Sequence, residues 1–334
     1  MKKVEIIAEI AQAHDGSIGI LHSYIDALAK RGIDTIKFQM HIAEAESSDK
    51  EPFRTNFSYE DNTRYDYWHR MGFSLEQWKG IKQHCQEAGV GFLCSPFSIK
   101  ACEWLKELGE TRVKIASGEI DNKLMHDYIA TFAKEVLISS GMSTIKDLKL
   151  CEEHYLSKGI STSVFQCTTA YPTPAEQVGL NAIEQMRNNF DCPIGLSDHS
   201  GEIYPSLAAI ALGATKLEFH AVFDKDMFGP DAISSLSLNQ IETLVEGVRF
   251  IQKAHANPID KTNAVRYDKL KAMFGKSLAV RKDLPIGHVI SVSDLESKKP
   301  AGEGHPASNY EDLLGKKIIK PLKKYNFINL SDCE

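Results

Sequence analysis

The sequence predicts an α/β protein: a (β/α)8 barrel of the TIM type, followed by a small, mostly β domain. Three observations carry that expectation. Short β-rich runs recur at 4–10, 34–40, 90–95, 112–117, 135–140, 162–167, 192–197 and 216–221. Several are continuously apolar, as strands buried on both faces must be. Amphipathic helical segments lie between them, and polar, chemistry-bearing residues close nearly every run. A closed parallel barrel puts all such ends on one rim. A doubly wound open sheet is the alternative, but it would concentrate them at one switch point.

The first run carries Glu5 and Glu9 among apolar residues, which makes it a first strand and not a signal peptide. It leads to Ala13-His14-Asp15-Gly16, and the second run carries Lys37 and Gln39. The connection from Met40 to Leu75 is too long for a simple βα loop and holds an aromatic, charged stretch at 51–72. Loops of that length are usually functional or disordered, and the aromatics argue against disorder. A lid over the barrel mouth and ordinary surface packing are the two expectations. A helix follows at 76–88, with Trp78, Ile81, Cys85 and Ala88 at helical spacing.

Run three ends in Ser95-Pro-Phe-Ser98, and run four supplies Lys114, Ser117 and Glu119. Run five ends in Ser139-Ser-Gly141, and run six leads into Thr168, Thr169 and Tyr171-Pro-Thr-Pro174. Runs seven and eight end in Ser197-Asp198-His199 and Glu218-Phe219-His220. A last barrel helix is expected at 238–254. The barrel domain is therefore placed at 1–256, a linker with a helical stretch (268–274) at 257–275, and the small β domain at 276–334.

The chain has 334 residues and a formal net charge of −6, so nothing in its charge favours nucleic acid or an acidic membrane as partner. Seven cysteines form no CxxC pair and read as reduced thiols of a cytoplasmic protein. No apolar stretch is long enough to span a bilayer.

Two histidines at the ends of neighbouring parallel strands, roughly 4.8 Å apart, can share a divalent ion and leave positions open for substrate. For a lone histidine, a hydrogen-bonded core role would be the better reading. Here Asp198 and Glu218 stand beside the pair, and metal binding by His199 and His220 is expected. Lys37 and Lys114 fall inside apolar runs, where a lysine must be paired. With Ser117, Ser139 and Ser197 they would form an anion cradle. A Schiff-base role for Lys114 is the competing use. A phosphoenolpyruvate or sugar-phosphate aldolase, and a non-catalytic binding protein, are the other classes.

Taken together, Ile36-Lys-Phe-Gln39, Lys114-Ile-Ala-Ser-Gly-Glu119, Tyr171-Pro-Thr-Pro174, Gly195-Leu-Ser-Asp-His199, Leu217-Glu-Phe-His220 and Gly229-Pro-Asp231 make the chain resemble the sialic acid synthase family. The C-terminal part resembles that family's antifreeze-like (SAF) domain. The resemblance implies condensation of phosphoenolpyruvate with an N-acetylmannosamine-type aldehyde, with loss of phosphate by C–O cleavage. It also leaves open a 2,4-diacetamido-6-deoxyhexose leading to legionaminic or pseudaminic acid. Lys114, Ser117, Ser139, Thr169 and Ser197, with Lys37 beside them, would hold phosphoenolpyruvate. Gln39, Glu119, Tyr171, Asp231 and Lys299 would face the sugar. Glu119, Glu218, Lys37 and Asp15 are the catalytic candidates. His199 and His220 would bind Mn²⁺, with Mg²⁺ or Co²⁺ as alternatives, and the working unit would be a domain-swapped homodimer. One departure stands out. The family's C-terminal domain usually presents Arg-Pro-Gly-x-Gly, whose arginine reaches the partner subunit's sugar, whereas here Lys299 precedes Pro300. Lysine lacks the planar two-pronged donor.

Overall fold

The computed structural model describes residues 3–55 and 57–334, which fall into two compact units, 1–257 and 258–334. The first unit carries eight parallel strands: β1 (Glu5–Glu9), β2 (Thr35–Met40), β3 (Gly91–Pro96), β4 (Arg112–Ile115), β5 (Glu135–Ser139), β6 (Ser161–Cys167), β7 (Ile194–Asp198) and β8 (Lys216–Val222). Each pairs with the next, and β1 pairs with β8 in the register Ile7↔Glu218 and Glu9↔His220. That closure excludes the open sheet and leaves no free edge.

The period of two within each strand sorts the side chains into layers. Ile7, Leu93, Leu137 and Phe165 fill the middle of the barrel. Phe165 reaches the axis because residue 195 is glycine; a Cβ there would stand 2.6 Å from the ring. Below this plug, Glu5 accepts from Arg112 (2.6 Å) and Lys216 (2.7 Å), and both cations also reach Glu135 at 2.8 and 3.2 Å. Above it, the same inward positions carry Glu9, Lys37, Lys114, Ser197, Glu218 and His220. The lysines therefore interrupt apolar runs because they occupy the inward register.

Outward-facing strand residues pack against the helices. Ser74 and Gln77 cap helix Leu75–Glu87 reciprocally, and Trp78, Ile81 and Cys85 bury its inner stripe. Fully burying a side chain of that size is worth roughly 3 kcal/mol. The long connection after β2 forms helix Ala43–Glu46, a coil, and helix Arg64–Met71 capped by Thr63 and Asp66. Ala43, Tyr67, Trp68 and Met71 give this segment its own small core.

The second unit holds helix Asp268–Phe274 and one antiparallel pair, Ser277–Val280 with Leu295–Lys298. Residues 258–275, expected as a linker, thus belong to this unit. Elsewhere in this unit, expected to be mostly β, the strand pairing consists of single bridges such as Val289↔Lys317 and Leu284↔Leu322. Leu278, Val280, Ile290, Leu313, Ile318 and Ile328 make its core. Among the described residues, no helix is long and apolar enough to cross a membrane, and all seven cysteines are free.

Candidate active site

A cavity of about 350 Å³ opens at the C-terminal ends of the strands. Its floor is a charge cluster. Lys37 Nζ lies 2.8 Å from Glu9 Oε2 and 3.0 Å from Glu218 Oε1. Lys114 Nζ donates to Glu218 Oε2 at 2.6 Å and sits 4.2 Å above the Phe165 ring centre. Ser197 Oγ donates to Glu218 Oε1 at 3.0 Å. Two ammonium groups thus meet two carboxylates in a water-poor layer.

Burial works against every charge in this cluster, and the partners decide which survives. For Glu218, Lys114 and Lys37 overcome burial and hold the carboxyl well below its usual range. Burial opposes Lys37 too, but Glu218 and Glu9 keep it firmly protonated. Lys114 goes the other way: burial, aided by repulsion from Lys37, outweighs Glu218 and lowers its pKa. Glu218 therefore suits charge balancing better than proton carrying.

Ser117, Ser139, Thr169 and Ser197 line the cavity beside Lys37. Gly141 lets two of these hydroxyls converge, since a Cβ there would collide with Ser117 Oγ and stand 2.6 Å from Thr169 Oγ1. Lys114 does not line the cavity. It is fully buried directly beneath the floor, where Glu218 covers its ammonium group.

The rings of His199 and His220 lie 5.2 Å apart, centre to centre. His199 Nδ1 meets the Thr168 carbonyl at 2.9 Å, which makes that nitrogen the N–H donor. His220 Nε2 lies 3.2 Å from Glu9 Oε2, and its Nδ1 lies 4.0 Å from Asp231 Oδ2. Each imidazole thus has one nitrogen held by an oxygen, the arrangement that orients metal-binding histidines. Burial lowers the His220 pKa, with Glu9 and Asp231 only partly opposing it. Burial would also lower His199, but the Cys167 sulfur and the Thr168 carbonyl lift it to about 9. No cluster of three His, Cys, Asp or Glu side chains set for a metal occurs among the described residues. His199 and His220 would together offer a divalent ion two protein nitrogens, with its other positions left to substrate and water.

The sugar-side candidates Gln39, Glu119, Tyr171 and Asp231 also line the cavity. Gln39 donates to Glu9 and accepts from Gln12, both at 2.6 Å. Tyr171 stacks on His199 with ring centres 4.2 Å apart. Burial raises the Glu119 pKa, although Asn122 donates to its carboxylate at 2.7 Å.

The sequence profile of the NeuB family matches residues 24–260, and that of the SAF domain matches residues 275–328. The chain belongs to the NeuB family. It is 32% identical to N,N'-diacetyllegionaminic acid synthase of Campylobacter jejuni, over 98% of this chain and 99% of that one. N-acetylneuraminate-9-phosphate synthase of Mus musculus is 30% identical over 96% of this chain and 89% of its own. A solved N-acetylneuraminic acid synthetase from Leptospira borgpetersenii, in complex with citrate, superposes with a TM-score of 0.71. It is 25% identical and covers 81% of this chain and 91% of its own.

Two expected site residues of this NeuB-family chain, Lys114 and Asp15, stand outside the cavity lining. Asp15 does not line the cavity: its backbone turns with φ +47°, and Arg70 Nη1 takes its carboxylate at 2.5 Å. Lys299 lies in the second unit, its ammonium 5.1 Å above the Phe274 ring centre. In return the cavity gains residues that motif reading missed. His41 stacks on Trp68 (3.9 Å) and Phe97 (4.6 Å) and binds Glu46 at 2.6 Å. Its signal was available, since 41 continues the inward series 37 and 39. Phe53, Arg54 and Phe57 come from the long connection, so that segment forms part of the mouth.

Proposed function

We propose that this NeuB-family enzyme condenses phosphoenolpyruvate with the open-chain aldehyde of an N-acetylmannosamine-type amino sugar, yielding a nonulosonic acid and phosphate. The observation that carries this reading is a buried Lys37–Glu218–Lys114 cluster directly below a cavity with two facing imidazoles. An anion seat and an electrophile seat then share one small chamber.

Phosphoenolpyruvate sits over the floor, held by Lys37 and the hydroxyls of Ser117, Ser139, Thr169 and Ser197. Lys114 contributes its charge from below, which offsets the chain's overall negative balance. The sugar lies toward Gln39, Glu119, Tyr171 and Asp231. His199 and His220 would hold a divalent ion, Mn²⁺ first, which when bound polarises the aldehyde oxygen. C3 of phosphoenolpyruvate bonds to C1 of the sugar, water adds at C2, and the C2–O bond to phosphate breaks. Glu119 handles the proton of that water step; burial raises the pKa of its carboxyl, the direction that suits a group passing a proton to and from water. Holding two small reactants in register supplies much of the acceleration.

A 2,4-diacetamido-6-deoxyhexose is the second reading. The 32% identity to a diacetyllegionaminic acid synthase favours it, as does the aromatic wall of Phe53, Phe57, Trp68 and Phe97, suited to methyl groups. Phosphate release from phosphoenolpyruvate with a panel of both sugar types and Mn²⁺ tests both readings. Release with at least one sugar is expected, and release with none rejects the condensation.

A further inference from the structure

We propose that Arg54 reads the N-acyl group of the sugar, an assignment that rests on the condensation proposed above. Arg54 belongs to the coil between helices Ala43–Glu46 and Arg64–Met71, yet its side chain crosses the mouth. Its Nη2 lies 2.5 Å from Asp231 Oδ1, beyond β8, and its guanidinium carbon sits 4.1 Å from the Tyr171 ring centre. Tyr171 in turn stacks on His199. The guanidinium therefore lies at the cavity beside Asp231 and Tyr171, two groups on the sugar side.

The coil that carries it is tied down. Glu51 accepts from the Trp68 indole at 3.0 Å and pairs with Arg64 at 3.1 Å, while Phe57 meets Tyr67 edge-on at 5.1 Å. Asp231 engages one of the five donors of Arg54 and balances its charge. That pairing offsets part of the guanidinium charge and leaves it planar N–H donors that suit a neutral carbonyl oxygen. Arg64 is likewise committed to Glu51. Phe53, Phe57 and Pro230 line the same mouth and offer apolar contact. A carbonyl donor site beside an apolar patch matches an acetamido group, with its C=O and its methyl.

The test compares Arg54→Ala and Arg54→Lys with wild type, using N-acetylmannosamine and mannose. The readout is kcat/KM, or the inhibition constant for a sugar that binds without turnover. Losing a hydrogen bond to a charged donor predicts that the wild-type preference for the acetamido sugar shrinks by about 10- to 100-fold in both variants. The KM for phosphoenolpyruvate stays unchanged, and lysine does not rescue because it keeps the charge without the fork. Equal losses for both sugars would make Arg54 a strap across the mouth and overturn the assignment, as would full rescue by lysine. Wild-type enzyme that releases no phosphate with any amino sugar overturns the condensation itself, and this assignment with it.

Discussion

Replacing Glu218 with glutamine keeps the shape of the floor and removes its central charge. The carboxylate is 2% exposed and joins Lys114 at 2.6 Å to Lys37 at 3.0 Å. Lys37 retains Glu9 at 2.8 Å, whereas Lys114, fully buried, loses the carboxylate it pairs with among the described residues. An uncompensated buried charge costs about 3–5 kcal/mol. At roughly 2–4 °C per kcal/mol for a domain of this size, the melting temperature should fall on the order of 10 °C. Lys114 escapes part of that cost by releasing its proton, since burial already draws its pKa down. The variant should then bind phosphoenolpyruvate weakly at alkaline pH and regain affinity as pH falls and Lys114 is reprotonated. Thermal unfolding with calorimetric titration of phosphoenolpyruvate across pH measures both effects. An unchanged melting temperature together with wild-type affinity at every pH would refute the reasoning.

Gly141→Ala should raise the KM for phosphoenolpyruvate at least about tenfold, the equivalent of one lost hydrogen bond, because the added methyl pushes Ser117 and Thr169 apart. A wild-type KM contradicts that geometry. Arg112 and Lys216 hold the Glu5 carboxyl down to about 2 against burial. A depressed carboxyl contributes stability above its unfolded value of 4.5 and loses it as pH falls toward 2. About 3 kcal/mol should disappear over that window, and Glu5→Gln should flatten the curve when unfolding is followed in denaturant. His220→Ala should lose both bound Mn²⁺, measured by titration calorimetry, and turnover, while its circular dichroism stays native; activity retained in chelator counts against the metal role. Removing residues 276–334 should abolish turnover, and sedimentation should give the full chain the mass of a dimer; normal kinetics in the truncated protein would reduce the small domain to a packing module.

Much of the barrel was legible because its signal is local. Eight runs between helices predict the strand count, and motif order places polar groups at their ends. The charge cluster was half legible: Lys37 and Lys114 stood out in apolar runs as lysines that must be paired, while Glu9 and Glu218 are identified as their partners by the structure. That Lys114 lies under the floor depends on Glu218 reaching it across the barrel, which needs the closed register of β1 with β8. Asp15 was misplaced because its motif sits at a strand end, yet a left-handed backbone turn hands its carboxylate to Arg70. Arg54 carried no signal of its own beyond lying in the aromatic, charged stretch at 51–72. It belongs to no periodic segment, and its partners Tyr171 and Asp231 are more than a hundred residues away in sequence.

The most direct measurement uses phosphoenolpyruvate labelled with oxygen-18 at the oxygen bridging C2 and phosphorus, together with the best sugar from the panel. Mass spectrometry of the products should find the label in inorganic phosphate and none in the sugar acid. Label retained in the sugar acid would mean that the P–O bond breaks instead, and the proposed addition of water at C2 would be wrong.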